Sequence, residues 1–211
     1  MCMEEQIALR EAGVRRGVRL QYFTIIYNSL EGIISLAAGL FAGSVSLIGF
    51  GFDSLIEVTS GAAVLWRLRR DHHVARRETS ERRALQMVGW CFIALSIYIL
   101  YESGSTLLQH DPPDRSIPGI IIAAVSIIVM PLLAAAKRRV AAEIGSAAVN
   151  ADARQTDFCT YLSAILLCGL GLNALFGWWW ADPVAALAMM PIIANEGIQS
   201  LKGKKCCDSC S

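Results

Sequence analysis

Asp53 and Glu57 stand four residues apart inside an otherwise apolar segment, 45–66. On a helix that spacing puts both carboxylates on one face, one turn from each other, and Ser46, Gly49, Ser60 and Gly61 extend the face. Measured from Ser46 at about 1.5 Å per residue, Asp53 is roughly 10 Å and Glu57 roughly 16 Å along the helix, too deep to snorkel easily. A charge at the centre of a bilayer costs at least about 2.5 kcal/mol, so acids at that depth point to function. Two further segments carry polar stripes. Thr24, Asn28, Glu31 and Ser35 recur at helical spacing, and Asp152, Gln155, Thr156, Cys159 and Ser163 do the same. Asp157 is turned by about 140° from Asp152 at 100° per residue, which suits a helix contact or a membrane-boundary position. Carboxylates met by an amide and a thiol from another helix offer oxygen and sulfur donors to a divalent cation. Metal ligands must be deprotonated, so binding releases protons and gives a physical route to metal/proton exchange. The alternative is a structural hydrogen-bond or ion-pair network of Asp53 and Glu57 with Asn28 or Glu31. Cys91 and Cys168 read as packing residues.

The elements that must position these residues are membrane helices. The chain has 211 residues, 55% of them hydrophobic and 18% charged, and a mean hydropathy of +0.47, outside the habit of a soluble domain. A span needs roughly 20 mostly apolar residues, and the windows 20–42, 45–66, 84–103, 117–136, 155–177 and 181–200 meet that need. Of the 19 Lys and Arg residues, 18 fall on one side of such a six-span path, which puts both termini in the cytoplasm. The expected fold is therefore an all-α integral membrane bundle of six transmembrane helices. It divides into a cytoplasmic N-terminal segment 1–19, expected as a short surface helix, a six-span domain 20–201 and a Cys-rich cytoplasmic tail 202–211. The third and fourth spans are nearly free of ionisable residues and read as scaffold or lipid-facing wall, with Pro131 removing a backbone donor from the fourth. The basic run 67–83, which includes His72-His73, reads as a solvated cytoplasmic turn beside anionic headgroups. Trp178-Trp179-Trp180 has the composition of an interfacial anchor. The tail thiols Cys206, Cys207 and Cys210 could capture a soft metal ion; lipidation or a plain unstructured end are the alternatives. A net charge of +1 without a basic face gives no sign of a nucleic-acid partner. No nucleophile–base pair or cofactor motif points to an enzyme.

Asn28-Ser29-Leu30-Glu31-Gly32, Ala38-Gly39, Gly43-Ser44 and Phe52-Asp53-Ser54-Leu55-Ile56-Glu57 resemble the first two spans of cation diffusion facilitator transporters. Ala151-Asp152-Ala153 and Ala181-Asp182-Pro183 extend the resemblance to the fifth and sixth spans. The whole chain looks like a short bacterial branch of that family lacking the C-terminal cytoplasmic domain. The resemblance implies efflux of Zn²⁺, or of Cd²⁺, Co²⁺, Mn²⁺ or Fe²⁺, against protons. The transporter would be a homodimer of six-span protomers in the lipid of a bacterial cytoplasmic membrane. The family's second-span Asp-x-x-x-Asp pair falls on Asp53 and Glu57. Its fifth-span pair falls on Gln155 and Cys159 when aligned from Ala151-Asp152, or on Ala153 and Asp157 when anchored on Asp157. Asp53 and Glu57 would then bind the ion and accept protons, with Gln155 and Cys159 completing the site and Asp152 drawing the ion to its cytoplasmic mouth. Asn28 and Glu31 would steady the ligands from behind. A reading of another class is a non-transporting membrane protein that senses or buffers metal and acts on a partner.

Overall fold

A computed structural model of the chain describes residues 3–69, 77–109 and 113–202. They form α1 (Met3–Ala42), α2 (Val45–Arg69), α3 (Arg77–Gln109), α4 (Ile117–Ile144), α5 (Ala147–Phe176) and α6 (Ala181–Lys202). Among the described residues there is no strand. The tail cysteines and His72-His73 lie outside the described residues.

Turn chemistry fixes the antiparallel neighbours. Gly43, Gly145 and Gly177 all adopt positive φ, between 63° and 67°, the left-handed conformation in which a helix ends at little cost only with glycine. Serine hydroxyls start two of the helices: Ser116 accepts from Gly119 N at the start of α4, and Ser146, next to Gly145, from Val149 N at the start of α5. Short turns therefore force α1 against α2 and α4 against α5. α2 is the hub, touching α1, α3, α5 and α6.

Close helix approach is bought with glycine. A methyl group on Gly51 of α2 would lie 3.0 Å from Leu36 N of α1, and one on Gly89 of α3 would lie 2.9 Å from Gly197 O of α6. Small residues of this kind let helix backbones meet where lipid supplies no hydrophobic drive. The interior core runs through Leu47, Phe50, Phe92, Ile99, Met130, Leu162, Leu166, Met189 and Ile193. Outside it, Ile26, Leu30, Ile33, Phe41, Ile128 and Leu132 are exposed, as an exterior facing hydrocarbon requires.

Among the described residues, four helices are long and apolar enough to cross a membrane: Glu11–Ala42 of α1, all of α2, all of α4, and Ala148–Phe176 of α5. Three expectations need correction. Residues before position 20 form no separate surface helix but continue unbroken into α1, because no proline falls between Met3 and Ala42 and the glycines there are packed against neighbouring helices. The fourth helix is not a plain wall, since its buried face carries Ser126 and Lys137 into the polar interior. Cys168, expected to pack, is exposed.

At one end of the bundle Asp182 of α6 accepts from Ser44 Oγ at 2.6 Å, from Val45 N at 3.0 Å and from Ser46 Oγ. The carboxylate thereby caps the start of α2, where free backbone N–H groups favour an anion. Trp178 and Trp180 stack at the same end, 5.2 Å between ring centroids.

Candidate metal site

Glu57 is twelve residues from either end of α2, or about 18 Å from each at 1.5 Å per residue. It is 1% exposed and Asp53, one turn away, 7%. Against this helix lie the two other polar stripes. Thr24, Asn28, Glu31 and Ser35 of α1 are buried, and so are Asp152, Thr156, Cys159 and Ser163 of α5. The α5 stripe follows from helical period alone: each residue repeats the face of the one three or four before it.

The centre of the cluster is a cation that belongs to the chain. Lys137 of α4 is fully buried. Its ammonium lies 2.8 Å from Asp152 Oδ2 and 3.6 Å from Glu57 Oε1. It donates to Thr156 Oγ1 at 2.8 Å, and that hydroxyl donates on to Glu57 Oε1 at 2.6 Å. Asp152 also accepts from Gln21 of α1 at 2.7 Å and from Ser60 of α2 at 3.3 Å. Four helices thus converge on one carboxylate. A charge sequestered in this way is tolerated only when it is paired and its remaining lone pairs are hydrogen-bonded, and Asp152 meets both conditions. Glu57 meets them by half: Oε2 is buried without a hydrogen-bond partner.

Asp53 faces the Cys159 thiol, which also stands beside Glu57. Gln155 is half-buried, and its Nε2 is a buried donor without an acceptor. Asp157 points elsewhere: it pairs with Arg138 at the partly exposed edge of α4 and α5. Asn28 donates to Thr24 O at 3.0 Å and leaves Oδ1 buried without a partner. Glu31 accepts from Ser54 at 2.9 Å and from Ser126, while Tyr27 and Ser126 share a hydrogen bond of 3.0 Å. Glu31 therefore ties α1 to α2 and α4 behind the Asp53–Glu57 face. Among the described residues, no three His, Cys, Asp or Glu side chains converge closely enough in this arrangement to hold one ion. Asp53, Glu57 and Cys159 are neighbours, but the Glu57 carboxylate is turned toward Thr156 and Lys137.

Several groups at the site do not stand out in the sequence. Thr156 sits on the α5 stripe without an obvious task. Gln21 lies one turn before the α1 stripe. Glu196 of α6, with a buried and unpartnered Oε2, reaches the electrostatic surroundings of Asp53. Lys137 is masked by Arg138 and Arg139. Its one signal is angular: eleven residues after Ser126 it returns to within about 20° of the same helix face, a face completed by the buried Met130 and Leu133.

Comparison with known proteins agrees with a cation-handling bundle. The description "cation efflux transmembrane domain" matches residues 84–203. A cation-efflux pump FieF from Citrobacter koseri is 27% identical over 78% of this chain and 56% of its own length. An uncharacterized transporter, sll1263, from Synechocystis is 23% identical over 74% of this chain and 52% of its own. A FieF pump of Salmonella paratyphi A is 24% identical over 74% and 54%. The chain spans about half the length of the curated relatives it matches. With its membrane-crossing helices, it is an integral protein of a bacterial membrane, and it belongs to the cation efflux family, the cation diffusion facilitators.

Proposed function

We propose that the protein exports a divalent metal cation from the cytoplasm in exchange for protons, with Zn²⁺ as the first candidate and Cd²⁺, Co²⁺, Mn²⁺ and Fe²⁺ as others. The observation that carries this reading is the buried carboxylate pair Asp53 and Glu57 at the midpoint of α2, faced by the Cys159 thiol, in a chain of the cation efflux family. In this reading Asp53 and Glu57 hold the ion and take up protons when it leaves. Cys159 supplies a soft donor, and Gln155, from the same stripe, turns its amide oxygen toward the ion. Asp152 draws the ion toward the cytoplasmic mouth by its charge while its own oxygens stay engaged by Gln21, Ser60 and Lys137, and Glu31 with Asn28 steadies the pair through α1. Asp157, engaged with Arg138, has a place at the boundary of the helices rather than in the site.

All six helices cross the membrane in this reading, with both termini cytoplasmic, and two copies associate through membrane contacts. The Asp182 clasp on α2 closes the outer end, and the Gln21–Asp152–Lys137 contacts close the inner end. Alternating access opens one and then the other. Purified protein in liposomes loaded with a zinc-sensitive dye and given a pH gradient is expected to show saturable flux that Asp53→Ala abolishes. Zinc binding without flux would overturn transport and favour a sensor or buffer.

A further inference from the structure

The cation site of this bundle already contains a cation. Lys137 is the one lysine or arginine among the buried described residues, and its ammonium is shared between Asp152 at 2.8 Å and Glu57 at 3.6 Å. The unequal distances matter. Asp152 gives the ammonium a direct charge-assisted contact, while Glu57 holds it at longer range and mainly through the Thr156 hydroxyl. Glu57 keeps its other oxygen buried and unpartnered, on a carboxylate one turn from Asp53 and beside Cys159. Asp152 is saturated by Gln21, Ser60 and Lys137 and has no such vacancy.

We infer that Lys137 is a tethered competitor for the metal: its ammonium neutralises Glu57 when no ion is bound and withdraws onto Asp152 when a divalent cation takes Glu57. This rests on the proposed metal site at Asp53 and Glu57. An ammonium on a flexible four-carbon stem can make that short move while staying paired at both ends of it. A divalent ion on Glu57 repels the ammonium, and Asp152 is already in contact to receive it. The device keeps the empty site from leaving a bare carboxylate at the middle of the bundle, which would be costly. It also weakens metal binding, because each ion must displace a resident charge. Lys137 is a positioning and affinity-setting residue and not a ligand.

The test is Zn²⁺ titration by calorimetry on the purified full chain in detergent. Every protein carries Cys206→Ser, Cys207→Ser and Cys210→Ser, so that tail thiols contribute no heat. Lys137→Gln is expected to bind Zn²⁺ at least tenfold more tightly than the parent, and Lys137→Arg, which keeps the charge, within about threefold of it. Should Lys137→Gln fail to fold, the pair is removed together. Replacing both partners of a buried ion pair is far better tolerated than removing one. Lys137→Gln/Asp152→Asn is then expected to bind at least tenfold more tightly than Asp152→Asn alone. Equal or weaker binding without the lysine, in either comparison, overturns the inference while leaving the metal site standing. Absence of Zn²⁺ binding in every protein overturns the metal site and this inference with it.

Discussion

Thr156 shows how much of the site hangs on single polar atoms. Its hydroxyl accepts from Lys137 and donates to Glu57, so one fully buried oxygen couples α4, α2 and α5. Thr156→Val preserves shape and removes both hydrogen bonds. It is expected to lower stability by about 1–3 kcal/mol, the cost of leaving buried polar groups unpaired, whereas Thr156→Ser loses only a methyl group. Thermal unfolding in detergent measures both, and unchanged stability of the valine variant would show that the bridge does not form. At this scale the sequence reveals the acids and the stripes but not the basic partner. Asp53 and Glu57 are conspicuous because nothing else within several residues of them is charged. Lys137 is inconspicuous because Lys137-Arg138-Arg139 has the composition of a cytoplasmic anchor. Arg138 behaves as such a residue and stays at a partly exposed edge with Asp157. One step back along the helix, about 100° of rotation carries Lys137 into the interior.

Elements are placed by glycine as much as by apolar side chains. Gly89 and Gly197 let α3 and α6 touch through their backbones. A methyl group on Gly89 would meet Gly197 O at 2.9 Å and Leu201 N at 3.0 Å, neither of which can rotate away. Gly104 of the same helix has nothing within 4 Å of the corresponding position. Alanine is worth up to about 1 kcal/mol more than glycine inside a helix. Gly104→Ala is therefore expected to be neutral or stabilising, and Gly89→Ala destabilising despite the same propensity gain. A melting temperature for Gly89→Ala at or above that of Gly104→Ala would contradict this packing. Apolar windows locate the helices well but not their full lengths. α5 begins at Ala147, earlier than its hydropathy suggests, because Asn150, Asp152 and Arg154 are polar yet fully compatible with a helix that has Ser146 at its start. The same holds for α1, whose charged first turns continue into the apolar stretch. Pairing of α3 with α6 is not visible in the sequence at all. It depends on two glycines more than a hundred residues apart, and no local pattern links them.

The whole molecule is polarised along its long axis. Asp182 clasps α2 at one end with three hydrogen bonds. At the other, Arg16 of α1 lies 3.4 Å from Glu143 of α4, near the Gln21–Asp152–Lys137 contacts. Asp53 and Glu57 lie along α2 between these two sets of contacts, which serve as the outer and inner gates in the proposed transport. A six-span path puts Gln109, the last residue of α3, outside and Lys202 inside. If α3 and α6 did not cross, both positions would stay on the same side. Alkaline phosphatase fused after Gln109 is expected to be active and a green fluorescent protein fused after Lys202 to be fluorescent. An inactive phosphatase fusion would contradict six spans.

In the proposed transport a divalent ion crosses through Asp53 and Glu57 and not through Asp157. Zinc flux into dye-loaded liposomes under a pH gradient compares the three directly. Asp53→Ala and Glu57→Ala are expected to abolish flux. Asp157→Asn breaks only a partly exposed ion pair with Arg138, worth at most about 1 kcal/mol, and is expected to retain flux near the parent level. Flux that survives Asp53→Ala and Glu57→Ala but disappears in Asp157→Asn would move the ion path away from α2 and overturn the proposed site.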